Sequence, residues 1–249
     1  AALEDAVSPP RLAGEPRDVG VFASCGIDGY MHHHLAGAPL KDAMDPGAIF
    51  MGEVASEKDY LATRVSYGLN LGGPSVVVTS ACSSSLVAVA QACQALATRQ
   101  CGLALAGGAA VSFPNTGHLY AEGLVASSDG HVRPFDADAD GTLFGDAAGA
   151  VVLRRLSDAL ADGDNVVGVI RGWSVTNDGA LKAGYAAPSA AAQRRAILAA
   201  QRMARTSAAA VSYVECHATG THVGDAIEVR GLADAFAANG GAADAHGRF

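Results

Sequence analysis

"SVVVTSACSSSLVAVAQACQALAT", residues 75–98, decides how this chain is read. Its first residues, with three consecutive valines at 76–78, read as a short buried strand. Residues 83–98 then read as a helix. It is apolar on nearly every face, with Gln91 and Gln94 the main exceptions, so it needs cover on most sides. Between them, Cys82 stands among small residues at a strand-to-helix turn. A buried free cysteine is often an inert packing residue. A cysteine at a helix N-terminus has a chemical use as well. Unpaired backbone N–H groups and the positive end of the helix dipole favour thiolate over thiol. The same N–H groups can hold a developing oxyanion. Ala81 and the serines at 83–85 leave room for a substrate.

Working outward, strand and helix patterns alternate. Residues 18–25, "DVGVFASC", read as a strand, residues 56–68 as a helix, and residues 102–110, "GLALAGGAA", as a second buried strand. "GAVVLRRL" is a further strand, followed by a short helix at "SDALADG" and a strand over 166–175. Ser189 after Pro188 is a helix N-cap for a run to Ala204. "VSYVEC" reads as a strand, "HATGTHVGD" as a loop, and residues 226–237 as a helix. This alternation predicts an α/β fold. The strands lack clean period-two alternation, as in sheets covered on both faces.

Composition sets the outer limits. Among 249 residues, half are hydrophobic and 17% are charged, with 30 glycines, which suits a globular α/β protein with tight turns. The net charge is −8, and no basic run stands out, which speaks against a nucleic-acid partner. There is no apolar run long enough to span a membrane. The five cysteines, Cys25, Cys82, Cys93, Cys101 and Cys216, form no C-x-x-C pair, which predicts a reduced, cytoplasmic protein.

A second reactive centre is read in "VECHATGTHVGD", residues 214–225. His217 follows a strand and precedes Thr219, Gly220 and Thr221, a flexible turn with two hydroxyls. The separation of Cys82 and His217 would also suit a papain-like hydrolase, but that family's signature is absent around Cys82. "DADADG", residues 136–141, imitates a calcium loop. Its twelfth position is Ala147 rather than glutamate, so no metal site is read there. The histidines at 32–34 have no cysteine or acidic partner at ligand spacing.

With both centres in view, the chain resembles the β-ketoacyl synthase family, most closely ketosynthase domains of modular polyketide synthases. The resemblance is carried by "ALEDA", "GVFASCGIDGY", "DYLATRVSYGLNLGGPSVVVTSACSSSLVAV", "GLALAGGAAV", "SSDGHVRPFDADADGTLFGDAAGAVVLRRL", "NDGALKAGYAAPS" and "VECHATGTHVGDAIEV", in the family's order. It implies a thiolase-like layered fold of two related halves and a homodimer. It implies a decarboxylative Claisen condensation, with Cys82 as the acyl-carrying nucleophile and His217 as hydrogen-bond donor to the malonyl thioester. Thr219 and Thr221 would contact the pantetheine arm. No cofactor would be bound covalently. The substrates would ride on the phosphopantetheine of an acyl carrier protein, beside adjacent synthase domains.

The departures are specific. Ala218 stands where the family more often has glycine, and it would be strained if that position needs positive φ. His222 and Ala226 stand where proline is common. The family's second histidine, in an N-I-G-H loop preceded by a lysine, and its glycine-rich C-terminal loop are not found in residues 1–249. The expectation is an interior fragment of one ketosynthase domain, truncated at both ends and inactive alone. Two alternatives stand beside condensation: a non-elongating ketosynthase that only transfers acyl chains, and a non-catalytic dimer scaffold.

Overall fold

A computed structural model describes residues 17–27, 29, 45–112, 117–180 and 182–240. The block "ALEDA", the histidines at 32–34 and residues 241–249 lie outside the described residues. The chain divides into two compact units. One is Ala1–Thr116 with Gly145–Val169, the other Gly117–Phe144 with Ile170–Phe249.

The first unit is built on a four-stranded sheet. Strands β1 (Val19–Cys25), β2 (Ser75–Val77), β3 (Leu103–Ala110) and β4 (Ala147–Arg154) lie in the order β2-β1-β3-β4. β1 runs parallel to β2 and β3, and β4 closes the sheet antiparallel to β3. Parallel neighbours require crossovers long enough for helices. The first crossover carries α1 (Pro46–Ser56) and α2 (Leu61–Leu69), and the second carries α3 (Ser84–Ala97). A short α4 (Leu156–Asp162) follows β4.

The parity of the strands explains their composition. Phe22, Ala104 and Ala106 pack on one face with Val78 and with Ala88, Ala92, Ala95 and Leu96 of α3. Val19, Val21 and Leu105 pack on the other face with Ala62 of α2 and Leu71. Both faces are therefore apolar, and the period-two signal disappears. Two glycines set the spacing. A Cβ on Gly107 would lie 2.1 Å from the Gly149 carbonyl oxygen, and one on Gly108 would lie 2.3 Å from Ser24 Oγ and 3.3 Å from Ser85 Cβ. The sheet therefore admits α3 closely at its N-terminal end, next to Cys82. At the other end of α3, Arg155 Nη1 donates to the carbonyls of Leu96 and Cys101, 2.9 Å from each. These bonds tie the last turn of α3 to the start of the segment that leads into β3.

The second unit contains α5 (Ala190–Ala204) and α6 (His222–Ala238). They meet where Gly231 faces α5, since a Cβ there would lie 3.0 Å from Gln193 Cβ and 3.2 Å from the Ala190 carbonyl. Ser189 caps α5 as expected, its Oγ accepting the Ala192 N–H at 3.3 Å. Ser189→Ala is expected to cost about 1 kcal/mol, read as a lower midpoint of urea unfolding with an unchanged slope.

The structure differs from the sequence reading in three places. A helix at Pro46–Ser56 was not anticipated. The last helix starts at His222, four residues earlier than expected, because Thr221 Oγ1 caps it by accepting the Gly224 N–H at 3.2 Å. The segments 166–175 and 211–216 form no strand among the described residues. Their apolar character fits a strand, but a strand exists only with a ladder partner, and Val167 and Tyr213 are 96% and 75% exposed.

Candidate active site

Cys82 lies in a single turn of 3-10 helix, Ala81–Ser83, between β2 and α3, and it is exposed. The turn begins with Ala81 in the left-handed region, at φ 51°. That conformation is unfavourable for an L-residue and needs support. The serines supply it. Ser84 Oγ accepts the Ser80 N–H at 2.8 Å and donates to the Ala81 carbonyl at 2.7 Å, bracketing the strained residue. Ser83 Oγ donates to the Ser80 carbonyl at 2.9 Å. Two of the serines after Cys82 are thus the braces of the turn as well as small neighbours. Ser83, at the N-cap of α3, makes no side-chain cap bond, which leaves the helix N–H groups to other acceptors.

The other cysteines differ in setting. Cys93 and Cys101 are buried, and burial pushes both thiols above their ordinary range. Cys216 is half-buried, and its thiol is pushed up by burial first and then by the carboxylates of Glu228, Glu215 and Asp225. A thiol pushed up is a poorer nucleophile near neutrality.

His217, Thr219 and Thr221 belong to the second unit, and Cys82 belongs to the first. His217 is exposed, and its loop is held from α6 by two carboxylates one turn apart. Glu228 accepts the His217 N–H through Oε1 at 2.7 Å and the Ala218 N–H through Oε2 at 2.9 Å. Asp225, only 6% exposed, accepts the Gly220 N–H at 3.1 Å and the Phe135 N–H at 2.7 Å. Ala218 is left-handed, at φ 48°, so the position does require the conformation that glycine adopts without cost. The hydroxyls of Thr219 and Thr221 lie 3.0 Å apart and are half-buried.

Asp225 also ties in the segment around residues 127–142. Gly141 N–H donates to the Gly220 carbonyl at 2.9 Å. Within that segment, the fully buried Ser127 places Oγ 3.1 Å from Asp129 and 3.2 Å from Asp140. Arg133 grips Asp129 with both terminal nitrogens, at 2.6 and 3.2 Å, and this holds the Asp129 carboxyl well below the usual carboxylate range. Asp140 is also lowered, first by the Ser128 hydroxyl. The calcium-like aspartates therefore have local work: Asp136 Oδ1 accepts the Asp138 N–H at 2.9 Å, and Asp140 serves the two serines. Among the described residues, no three metal-ligating side chains converge.

Asp225 and Glu228 were not singled out from sequence. Their i, i+3 spacing on a helix that starts beside a candidate histidine was the available signal.

Comparison with known proteins bears on this geometry. The family model for the β-ketoacyl synthase N-terminal domain matches residues 1–159, and that for the C-terminal domain matches residues 167–245. One component of the phenolphthiocerol/phthiocerol polyketide synthase of Mycobacterium tuberculosis is 44% identical over 246 residues, which covers 94% of this chain and 16% of that protein. The 6-methylsalicylic acid synthase of Aspergillus niger is 41% identical over 96% of this chain and 13% of its own length. Among solved structures, the ketosynthase from module 1 of the bacillaene synthase of Bacillus amyloliquefaciens superposes with a TM-score of 0.79 at 36% identity, covering 90% of this chain and 39% of that one. Ketosynthase twelve of the bacillaene synthase gives 0.83 at 33% identity, covering 92% of this chain and 40% of its own. The chain thus spans well under half the length of these relatives. Its thiolase-like α/β fold is that of the solved ketosynthases.

Proposed function

This chain belongs to the β-ketoacyl synthase family, and from that premise we propose that it supplies the nucleophile and one enolate-stabilising group of a decarboxylative condensation in polyketide or fatty acid chain extension. Cys82 Sγ attacks the carbonyl of a carrier-bound acyl thioester. The carrier thiol leaves, and the acyl group stays on Cys82. A malonyl-type thioester on a second carrier then loses CO₂, and the resulting enolate carbon attacks the Cys82 thioester. The new carbon–carbon bond gives a β-ketoacyl carrier product, and Cys82 leaves as the thiolate. Sulfur suits both halves because it attacks well and leaves well.

His217 donates a hydrogen bond to the malonyl thioester oxygen as negative charge develops there. Thr219 and Thr221, two hydroxyls 3.0 Å apart beside it, face the polar pantetheine arm. The observation that carries the reading is Cys82 itself: exposed, braced by serines, and at a helix N-terminus without a side-chain cap. A scaffold would need none of these, so they favour catalysis over a non-catalytic dimer partner.

The partners proposed are an acyl carrier protein, neighbouring synthase domains and a second copy of the chain. β2 supports the homodimer, since among the described residues it pairs only with β1 and its Val76 is 38% exposed. No helix among the described residues is long and apolar enough to cross a membrane. All five cysteines are unpaired, which supports the cytoplasm as the compartment.

The test is a product assay on the full-length protein with acyl and malonyl carrier thioesters. One CO₂ is expected for each β-ketoacyl carrier formed. Acyl transfer without CO₂ release would overturn the condensing reading in favour of a non-elongating one.

A further inference from the structure

We infer that Ala218 is a positioning residue: its left-handed backbone is a strained state latched by the Glu228 carboxylate, and His217 keeps its place only while that latch is closed. This rests on the role proposed for His217 and deepens it. The loop is anchored on its far side, where Asp225 accepts the Gly220 N–H at 3.1 Å and Thr221 caps α6. On the near side, His217 and Ala218 point successive N–H groups at the two oxygens of one carboxylate, at 2.7 and 2.9 Å. Successive amides converge on an anion in this way when the backbone takes a left-handed turn. Ala218 supplies that turn at φ 48°.

An L-residue resists the left-handed region, because its Cβ crowds the following carbonyl. Without the carboxylate, Ala218 relaxes to negative φ. Rotation about its N–Cα bond then carries His217 away from Gly220, which stays tied to Asp225. A glycine at the same position would occupy either region with similar ease, so the position of His217 would depend far less on Glu228.

A double-mutant cycle on the full-length protein tests this, using Glu228→Gln, Ala218→Gly and the pair. Glutamine keeps the shape but puts an NH₂ donor against one of the two amides. Two readouts are needed: hydrogen exchange at the His217 and Ala218 amides, and malonyl decarboxylation measured against Cys82 acylation as the internal reference. In the alanine background, Glu228→Gln should speed amide exchange and slow decarboxylation about tenfold. In the glycine background the same change should cost only about twofold, a coupling of roughly fivefold. Ala218→Gly therefore rescues Glu228→Gln.

Equal losses in both backgrounds, or amide exchange indifferent to Glu228→Gln, would overturn the latch. Coupled amide exchange with unaltered decarboxylation would support the latch and overturn the enolate role of His217. Should Glu228→Gln fail to fold, Glu228→Asp, which shortens the reach by one methylene, runs through the same cycle with the same expectations.

Discussion

Cys82→Ala is expected to yield a folded protein that takes up no acyl group. Cys82 is exposed and its sulfur lies outside the buried clusters, so its loss opens no cavity. The turn is held by Ser80, Ser83 and Ser84, whose hydrogen bonds do not involve the thiol. Chemistry, by contrast, loses the proposed covalent anchor, and acyl transfer should fall by at least about a thousandfold, as expected for removal of a nucleophile. Intact-mass measurement and peptide mapping after incubation with an acyl thioester check this. One adduct is expected in the parent protein, on the peptide containing Cys82, and none in the variant. Three of the four other thiols are poor candidates, since Cys93 and Cys101 are buried and pushed up, and Cys216 sits among carboxylates. An adduct of equal size surviving in Cys82→Ala would remove the assignment.

His217→Ala should separate the two half-reactions. The histidine holds its loop through its backbone N–H, which donates to Glu228 and which alanine keeps. The imidazole is exposed, so trimming it should leave the fold alone. Malonyl decarboxylation loses one strong transition-state hydrogen bond, worth about 3 kcal/mol, on the order of a hundredfold in rate. Acylation of Cys82 should change far less. Rapid-quench measurement of CO₂ release beside mass-spectrometric acylation gives both numbers on one preparation. Equal suppression of the two would mean that His217 serves as a base for Cys82 or supports the fold instead.

What was legible in the sequence was local. Ser189 announced its helix because a cap and its helix are adjacent in the chain, and Cys82 announced its turn for the same reason. The helix Pro46–Ser56 escaped notice despite an Asp45 cap and Pro46 at its start, because it buries no residue and has no apolar stripe. Strand character at 166–175 and 211–216 was read from composition, but pairing is a long-range property that composition does not carry. Glu228 was hidden for a related reason. Its task is set by amides eleven and ten positions earlier, brought back by a turn at Ala218, Gly220 and Thr221. The strain at Ala218 could be named only conditionally, since φ is fixed by the contacts of the whole loop. The bracing role of the serines needed coordinates as well. Small size is legible in a sequence, and the direction of a hydroxyl is not.

The first unit closes on β4, which pairs with β3 along its full length although residues 111–146 intervene and most of that stretch belongs to the second unit. Arg155, one residue past β4, fastens the distal end of the helix that follows Cys82. On a ribosome, then, the platform beneath Cys82 cannot close when β3 emerges. It waits until residue 155 has cleared the exit tunnel, with the segment at 117–144 already outside and its anchor, Asp225, still to be made. During that interval the Asp225 acceptor for the Phe135 N–H is missing. Birth order therefore couples the two units: neither can be finished before the chain has contributed to both.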